Sequence, residues 1–312
     1  MKKQTLIKSP RFAKALALTG VLALSLTACG SGTAAPEESS APQGGAGASA
    51  PYYDQLPQEI KDAGKIRVGM SPTGTPFSMK PGEEFEGMLP ELSDAAEKLL
   101  GVEMEIISTA FPAQIPSLQA GKIDMIWGAS ADSVEREKVL DFVSYLRSPM
   151  KPLMLKDTDL SISTEEDLCG VKVGAVQGGD IHRYLETVKT KCEESGTPME
   201  LNLYEASSAA MAQLQAGKVE TMIGMGAIQD YIAATAEDGG LYRVESLEVL
   251  PTIYAMAFEK GDTELQTALR DALRELVNDG SYEEVLTKYH AASGALTADE
   301  ILINGVGSGE LK

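Results

Sequence analysis

Short apolar runs alternate along the chain with segments in which apolar residues recur every three or four positions. The apolar runs predict buried strands at residues 66–70, 102–107, 123–127, 171–176, 201–204, 219–223 and 253–258. The intervening segments predict amphipathic helices, and Leu89, Leu92 and Ala96 share one face of such a helix. Strands that alternate with helices in this way predict an α/β fold with mostly parallel sheets.

One phrase occurs twice. The sequence LQAGKIDMIWG at residues 118–128 returns as LQAGKVETMIG at residues 214–224. Each copy resembles the end of a helix, a glycine that suits the left-handed stop position (Gly121, Gly217), and a short buried strand. The repeat predicts two similar lobes with a ligand-binding cleft between them. The alternative is chance reuse of common residues.

The N-terminus predicts export and lipid attachment. Residues 1–28 combine basic residues, an apolar stretch and small residues, which is the pattern of a cleaved secretory signal. The final Leu-Thr-Ala-Cys resembles a bacterial lipobox, so we expect Cys29 to become the lipidated N-terminus. The alternative is an ordinary signal with an incidental cysteine. Residues 29–55, rich in Ser, Gly, Ala and Pro, predict a flexible linker.

Charge and cysteine content narrow the choice of partners. The net charge of −19 argues against nucleic-acid binding, because an acidic surface repels phosphate backbones. Cys169 and Cys192 form an even pair in an exported chain, which predicts a disulfide. With two histidines in the whole sequence, there is almost no material for a Cys/His metal site, and we expect neither a metal nor a cofactor.

The pattern divides the folded part into two lobes, and the chain crosses from one lobe to the other twice. We expect residues 56–148 together with 252–292 to form lobe 1, and residues 149–251 to form lobe 2. Residues 293–312 are rich in glycine, which predicts a loosely held tail.

Several phrases carry a family resemblance, in the same order along the chain. They are IRVG at residues 66–69, PF at 76–77, AGKID at 120–124, EREKVLDF at 135–142, DLCGVKVG at 167–174 and NDGSY at 278–282. In these phrases the chain resembles the extracytoplasmic solute-binding proteins that feed polar amino acid ABC importers. The resemblance implies a two-lobed periplasmic-binding-protein-like fold that closes over a small-molecule ligand. It also implies an ABC permease as partner. Together with Cys29, it predicts a monomer anchored in the lipid bilayer, at the outer face of the cytoplasmic membrane.

The resemblance also implies where ligand contacts lie. The positions are Arg136, Phe111, Ser133, Ala131, Gly178, Gly179, Asp180 and Met225. Arg136 is expected to grip a ligand carboxylate, because a guanidinium fork fits two carboxylate oxygens. Phe111 is expected to form an apolar wall, and the glycine turn of lobe 2 to offer backbone amides. The alternatives are a surface Arg136 paired with its acidic neighbours and a Phe111 packed in the core.

Two positions depart from the family pattern. Related amino acid binders hold the ligand ammonium group with acids where this chain has Ser71 and Met225. Either Asp180, Glu91 or Glu205 supplies the charge from elsewhere, or the ligand has no ammonium group, since an unpaired buried charge is costly.

Three functions fit the sequence. Our main hypothesis is a binding protein that delivers a carboxylate-bearing solute, an amino acid or a derivative, to a permease. A ligand sensor without transport is the alternative, and an exported dehydratase-like enzyme is the third. Because the expected acidic positions are empty, we expect no catalytic residue.

Overall fold

The computed structural model describes residues 49–311. The signal segment, Cys29 and most of the linker lie outside the described residues, so the prediction of a lipid anchor stays a prediction. Across residues 49–311, no helix combines the length and the apolar composition needed to cross a bilayer.

Ten strands form two five-stranded sheets. In chain order the strands are β1 (Lys65–Met70), β2 (Glu103–Ser108), β3 (Met125–Ile126), β4 (Leu140–Arg147), β5 (Met150–Leu155), β6 (Lys172–Val176), β7 (Glu200–Tyr204), β8 (Thr221–Met225), β9 (Tyr242–Val244) and β10 (Ile253–Glu259). The strand orders are β2-β1-β3-β10-β4 in lobe 1 and β7-β6-β8-β5-β9 in lobe 2. The two-lobed α/β fold is therefore confirmed.

Each sheet is mixed, because the chain passes between the lobes as extended strand. In each sheet one central strand has parallel neighbours on both sides, β1 in lobe 1 and β6 in lobe 2. By contrast, β10 runs antiparallel to β3 and β4, and β5 runs antiparallel to β8 and β9. Only Ser148 and Pro149 separate β4 from β5. The chain therefore leaves lobe 1 along β4 and enters lobe 2 along β5 with almost no intervening loop.

Helices cover the sheets. They are α1 (Gln58–Ala63), α2 (Met88–Leu100), α3 (Phe111–Gln119), α4 (Gly179–Glu194), α5 (Ser207–Gln215), α6 (Gly226–Thr235), α7 (Thr263–Asp279) and α8 (Ser281–Lys288). Helices α2 and α7 share the main core of lobe 1 and contact each other. The buried residues of α7 recur at helical spacing, including Leu265, Leu269, Leu273 and Leu276. Each buried leucine contributes roughly 1.5–3 kcal/mol through the hydrophobic effect.

The repeated phrase forms the same local structure in both lobes. It begins in the last turn of α3 or α5, where Leu118 and Leu214 are both buried. Gly121 and Gly217 follow with positive φ angles of 62° and 64°. The next residue in each copy donates a 2.9 Å backbone hydrogen bond into the preceding helix, and the chain then enters β3 or β8. The repeat therefore marks equivalent units of the two lobes.

Cys169 and Cys192, the pair for which the sequence predicts a bridge, form a disulfide in lobe 2. Cys192 lies in α4, and Cys169 ends the turn that leads into β6. The bridge therefore ties the helix of this strand-helix unit to the start of its strand.

The C-terminal segment differs from the loose tail that its glycine content suggests. Residues 302–304 of this segment run beside β4, the edge strand of the lobe 1 sheet. Ser144 donates a backbone hydrogen bond to Leu302 (3.1 Å), and Asn304 donates one to Phe142 (2.9 Å). An exposed edge strand leaves backbone groups unpaired, and this segment satisfies them. The composition of the tail does not show that β4 needs a partner, because this need arises from the position of β4 at the edge of the sheet.

Candidate ligand-binding cleft

The predicted site residues follow the carboxyl ends of the parallel strands. In lobe 1, residues 127–133 continue from β3. In lobe 2, residues 177–180 continue from β6, and Met225 ends β8. In open α/β sheets, ligands bind at this end of the strands, where the strand order reverses. The lobe 1 loop is held in place at its base, because Asp132 donates a backbone hydrogen bond to Ile253 at the start of β10 (2.8 Å).

Arg136 is half-buried, and it makes no ion pair with any residue between 49 and 311. It begins a short 3₁₀ turn (Arg136–Lys138), and its guanidinium group donates to the backbone oxygen of Ala131. The guanidinium carbon lies 5.2 Å from the centre of the Phe142 ring. Burial lowers the pKa of Arg136, and the nearby carboxyl group of Asp132 opposes that shift. The group stays cationic, since arginine does not deprotonate in proteins.

The acidic neighbours of Arg136 bind elsewhere. Glu135 pairs with Lys138, and Glu137 accepts the backbone N–H of Gly307 (2.7 Å). Within residues 49–311, no carboxylate lies within ion-pair distance of Arg136. This arrangement does not match a surface arginine that is neutralised by the acids beside it. It leaves a positive group without a carboxylate partner in lobe 1.

Asp132 is an unusual carboxyl group beneath this arginine, and the sequence reasoning missed it. It is 7% exposed, and neither of its carboxyl oxygens reaches hydrogen-bond geometry with a protein partner among the described residues. Burial raises the pKa of Asp132 to about 7, and the negative charge of Glu137 adds to the effect. Nearby backbone groups of Val306 and Ser133 partly offset it. A protonated Asp132 would leave the positive charge of Arg136 available to a ligand.

Phe111 is exposed rather than packed in the core. It is the first residue of α3, and its exposed fraction is 60%, which is high for a large apolar side chain. One turn later, Gln114 is 2% exposed, and its side-chain nitrogen has no partner within the described part of the chain. Gln114 lies close to Gly128, which follows β3. An apolar ring and an unused amide donor therefore stand near the strand ends of lobe 1.

The glycine turn of lobe 2 is partly occupied. Gly178 donates its backbone N–H to Nδ1 of His182 (3.0 Å), so this amide is not free for a ligand. The exposed Asp180 pairs with Arg183 and makes no capping bond to α4. It therefore does not compete for the amides of the first helical turn. The N–H groups of Gly179 and Asp180 remain as candidate donors, because the first amides of a helix have no partner within it.

The two positions that lack the expected acids have ordinary neighbours. The hydroxyl of Ser71 lies 3.3 Å from that of Thr73. Met225 is half-buried at the rim of a cavity in lobe 2. Glu91, a possible replacement acid, is bound by Lys288 and Tyr289 between α2 and α8 (2.5 and 2.6 Å). Glu205 is exposed at the end of β7.

A cavity of about 390 Å³ lies in lobe 2, behind Met225. Its wall consists of Met150, Val176, Ile181, Ser207, Ser208, Met211, Met222, Ile223, Gly224, Met225, Ile228, Gln229 and Ile232. None of these side chains is charged. Among the described residues, no group of three His, Cys, Asp or Glu side chains is placed to hold a metal ion.

Comparison with known proteins identifies the class. Residues 66–292 match the sequence model of the bacterial extracellular solute-binding proteins, family 3. The match covers well over half of the chain, so the chain belongs to this family, and the resemblance inferred from its phrases is confirmed. Residues 293–312, which include the segment along β4, lie beyond the matched region.

Characterised relatives span most of the chain. The L-cystine-binding protein TcyJ of Escherichia coli K12 is 26% identical over 76% of this chain and 86% of its own length. The histidine-binding periplasmic protein of the same strain is 29% identical over 72% of this chain and 86% of its own length. Among solved structures, an ancestral cationic amino acid solute-binding protein (AncCDT-1) has 25% identity and a TM-score of 0.62. It covers 75% of this chain and 98% of its own. All three are named as binding proteins.

Proposed function

We propose that this protein is the solute-binding component of an ABC importer, and that its two lobes close over a small carboxylate-bearing solute. The observation that carries the proposal is the half-buried Arg136, whose acidic neighbours are bound to other groups. The relatives of this protein are named for binding cystine, histidine and cationic amino acids. These names support a solute of the size of an amino acid or a derivative.

The proposed binding mode uses both lobes. Arg136 holds the carboxylate by charge-assisted hydrogen bonds, and the exposed ring of Phe111 covers the apolar part of the solute. The amides of Gly179 and Asp180 approach from lobe 2 when the cleft closes. The two-residue link between β4 and β5 is one of the two places where the chain can bend for this closure.

The remaining parts of the proposal concern location and assembly. Cleavage before Cys29 and lipidation of that cysteine would hold the protein at the outer face of the cytoplasmic membrane. The linker would let the folded part reach a permease there. We assign the protein a monomeric state and no catalytic role.

Titration calorimetry with the purified protein tests the central claim. A panel of amino acids and other small carboxylates first identifies binders, and each binder is then measured against the Arg136→Ala variant. Loss of a buried charge-assisted contact typically costs about 2–5 kcal/mol, so we expect affinity to fall roughly thirtyfold or more. Lys138→Ala is the matched control, since Lys138 lies on the same turn but pairs with Glu135 at the surface. Unchanged affinity in Arg136→Ala would refute the carboxylate anchor.

A further inference from the structure

The cavity in lobe 2 lies where a bound solute would meet that lobe. Val176 ends β6 immediately before the glycine turn, and Met225 ends β8. Ile181 stands in the first turn of α4, and Ser207 in the first turn of α5. These four residues surround the carboxyl ends of two neighbouring parallel strands, which is the edge that binds ligands in such sheets. A volume of about 390 Å³ falls within the range of small-molecule sites.

The wall of this cavity is apolar and adaptable. Four methionines contribute to it: Met150, Met211, Met222 and Met225. Methionine side chains are flexible and polarisable, so they adjust to apolar groups of different shape. An ammonium group placed here would leave water without meeting any negative charge, which is unfavourable.

A buried amide adds a polar feature. Gln229 is 1% exposed and lines the cavity, and its side-chain nitrogen donates to the backbone oxygen of Met222 (3.4 Å). That contact directs the amide oxygen elsewhere, and the oxygen has no partner within residues 49–311. Buried polar groups without partners are rare in proteins, but this oxygen has almost no accessible surface, so it does not open onto the cavity as the side chain stands.

We propose that the solute is a carboxylate that has no ammonium group and places an apolar substituent in the Met-lined cavity of lobe 2. This inference rests on the proposed function and narrows its substrate class. Arg136 binds the carboxylate from lobe 1, and the cavity receives the apolar end. N-acyl amino acids and 2-oxo acids with apolar side chains belong to this class, whereas free amino acids do not.

The test compares matched pairs of ligands by titration calorimetry with the purified protein. The pairs are methionine with N-acetylmethionine, leucine with 4-methyl-2-oxopentanoate, and phenylalanine with phenylpyruvate. We expect the member without an ammonium group to bind at least tenfold more tightly in one or more pairs. Equal or tighter binding of the free amino acid in every pair would overturn the inference, and so would a failure of every ligand to bind.

Two variants examine the cavity directly. Met225→Asp places a negative charge at its rim, so we expect the preference within each pair to shift at least tenfold toward the free amino acid. Met222→Leu, a change of similar volume on the same strand, should leave the preference unchanged. An unaltered preference in Met225→Asp would overturn the inference.

The same ligands measured with Arg136→Ala separate the two levels of the argument. If free amino acids bind best and lose affinity in this variant, the inference is wrong while the proposed function stands. If ligands of either kind bind equally well without the arginine, the proposed carboxylate anchor is wrong.

Discussion

The buried carboxyl group of Asp132 should make the stability of this protein fall as the pH rises toward neutrality. Burial and the charge of Glu137 raise the pKa of Asp132 from 3.8 to about 7. The folded protein therefore keeps a proton that the unfolded chain has already released between about pH 4 and pH 7. Ionisation of the unfolded chain favours unfolding over this interval. The free energy of unfolding should accordingly decrease from pH 4 to pH 7. Above pH 7 Asp132 should contribute little further change.

The size of the effect follows from the pKa difference. A shift of about three units, at about 1.4 kcal/mol per unit, corresponds to roughly 4 kcal/mol between the two ends of the interval. This value refers to Asp132 alone. The cations nearby are Arg136 and Lys260, whose ammonium group donates to the backbone oxygen of Glu137 (2.8 Å).

Urea denaturation at pH 5 and pH 8 measures this change in the free energy of unfolding. Asp132→Asn keeps the shape of the side chain and removes the titration. From pH 5 to pH 8 the wild type should therefore lose more unfolding free energy than the variant does. The extra loss should be one to several kcal/mol, on the scale of about 1.4 kcal/mol per pKa unit. Asp299→Asn, at an exposed position in the C-terminal segment, is the control for the loss of one acid. If wild type and Asp132→Asn lose stability in parallel between these pH values, the explanation from burial is wrong.

Three further predictions concern the covalent and terminal features. Replacing both Cys169 and Cys192 by serine should lower the free energy of unfolding by about 3 kcal/mol, from the loop of 23 positions that the bridge closes; an unchanged urea midpoint would contradict this. Cys29→Ala should release the protein from membranes into the medium or leave its precursor uncleaved, as judged by immunoblotting of cell fractions, and normal processing with membrane retention would place the anchor elsewhere. Ending the chain after Ser293 should raise hydrogen exchange in residues 131–147, and unchanged protection there would show that the tail does not stabilise this loop and strand.

Local patterns in the sequence were sufficient to predict the framework. The repeated phrase around Gly121 and Gly217 predicted two equivalent helix-to-strand units, because a left-handed glycine followed by a buried apolar run has few other uses. Apolar spacing likewise predicted α2. The strands β4, β5 and β9 were not predicted. The antiparallel direction of β10 also escaped prediction, since periodicity shows that a strand exists but not which neighbour it pairs with.

The site was predicted only where the family phrases reach. Arg136 lies in such a phrase, and Phe111 was inferred from the family resemblance. The structure adds that Arg136 is not paired with the acids beside it and that Phe111 is not packed in the core. Asp132, Gln114 and Gln229 were missed. Their special character comes from burial without a partner, which depends on long-range packing that no local pattern reports.

The C-terminal segment has a practical consequence for experiments that attach something to this protein. Leu311 is buried and donates its backbone N–H to Gly305, and Gly307 donates to Glu137, next to Arg136. A purification tag or fluorescent domain fused after residue 312 would therefore begin beside the loop that carries the proposed ligand anchor. Such a fusion would report on that loop, which suits a ligand biosensor, whereas immobilisation for affinity measurements is better made through the N-terminal linker.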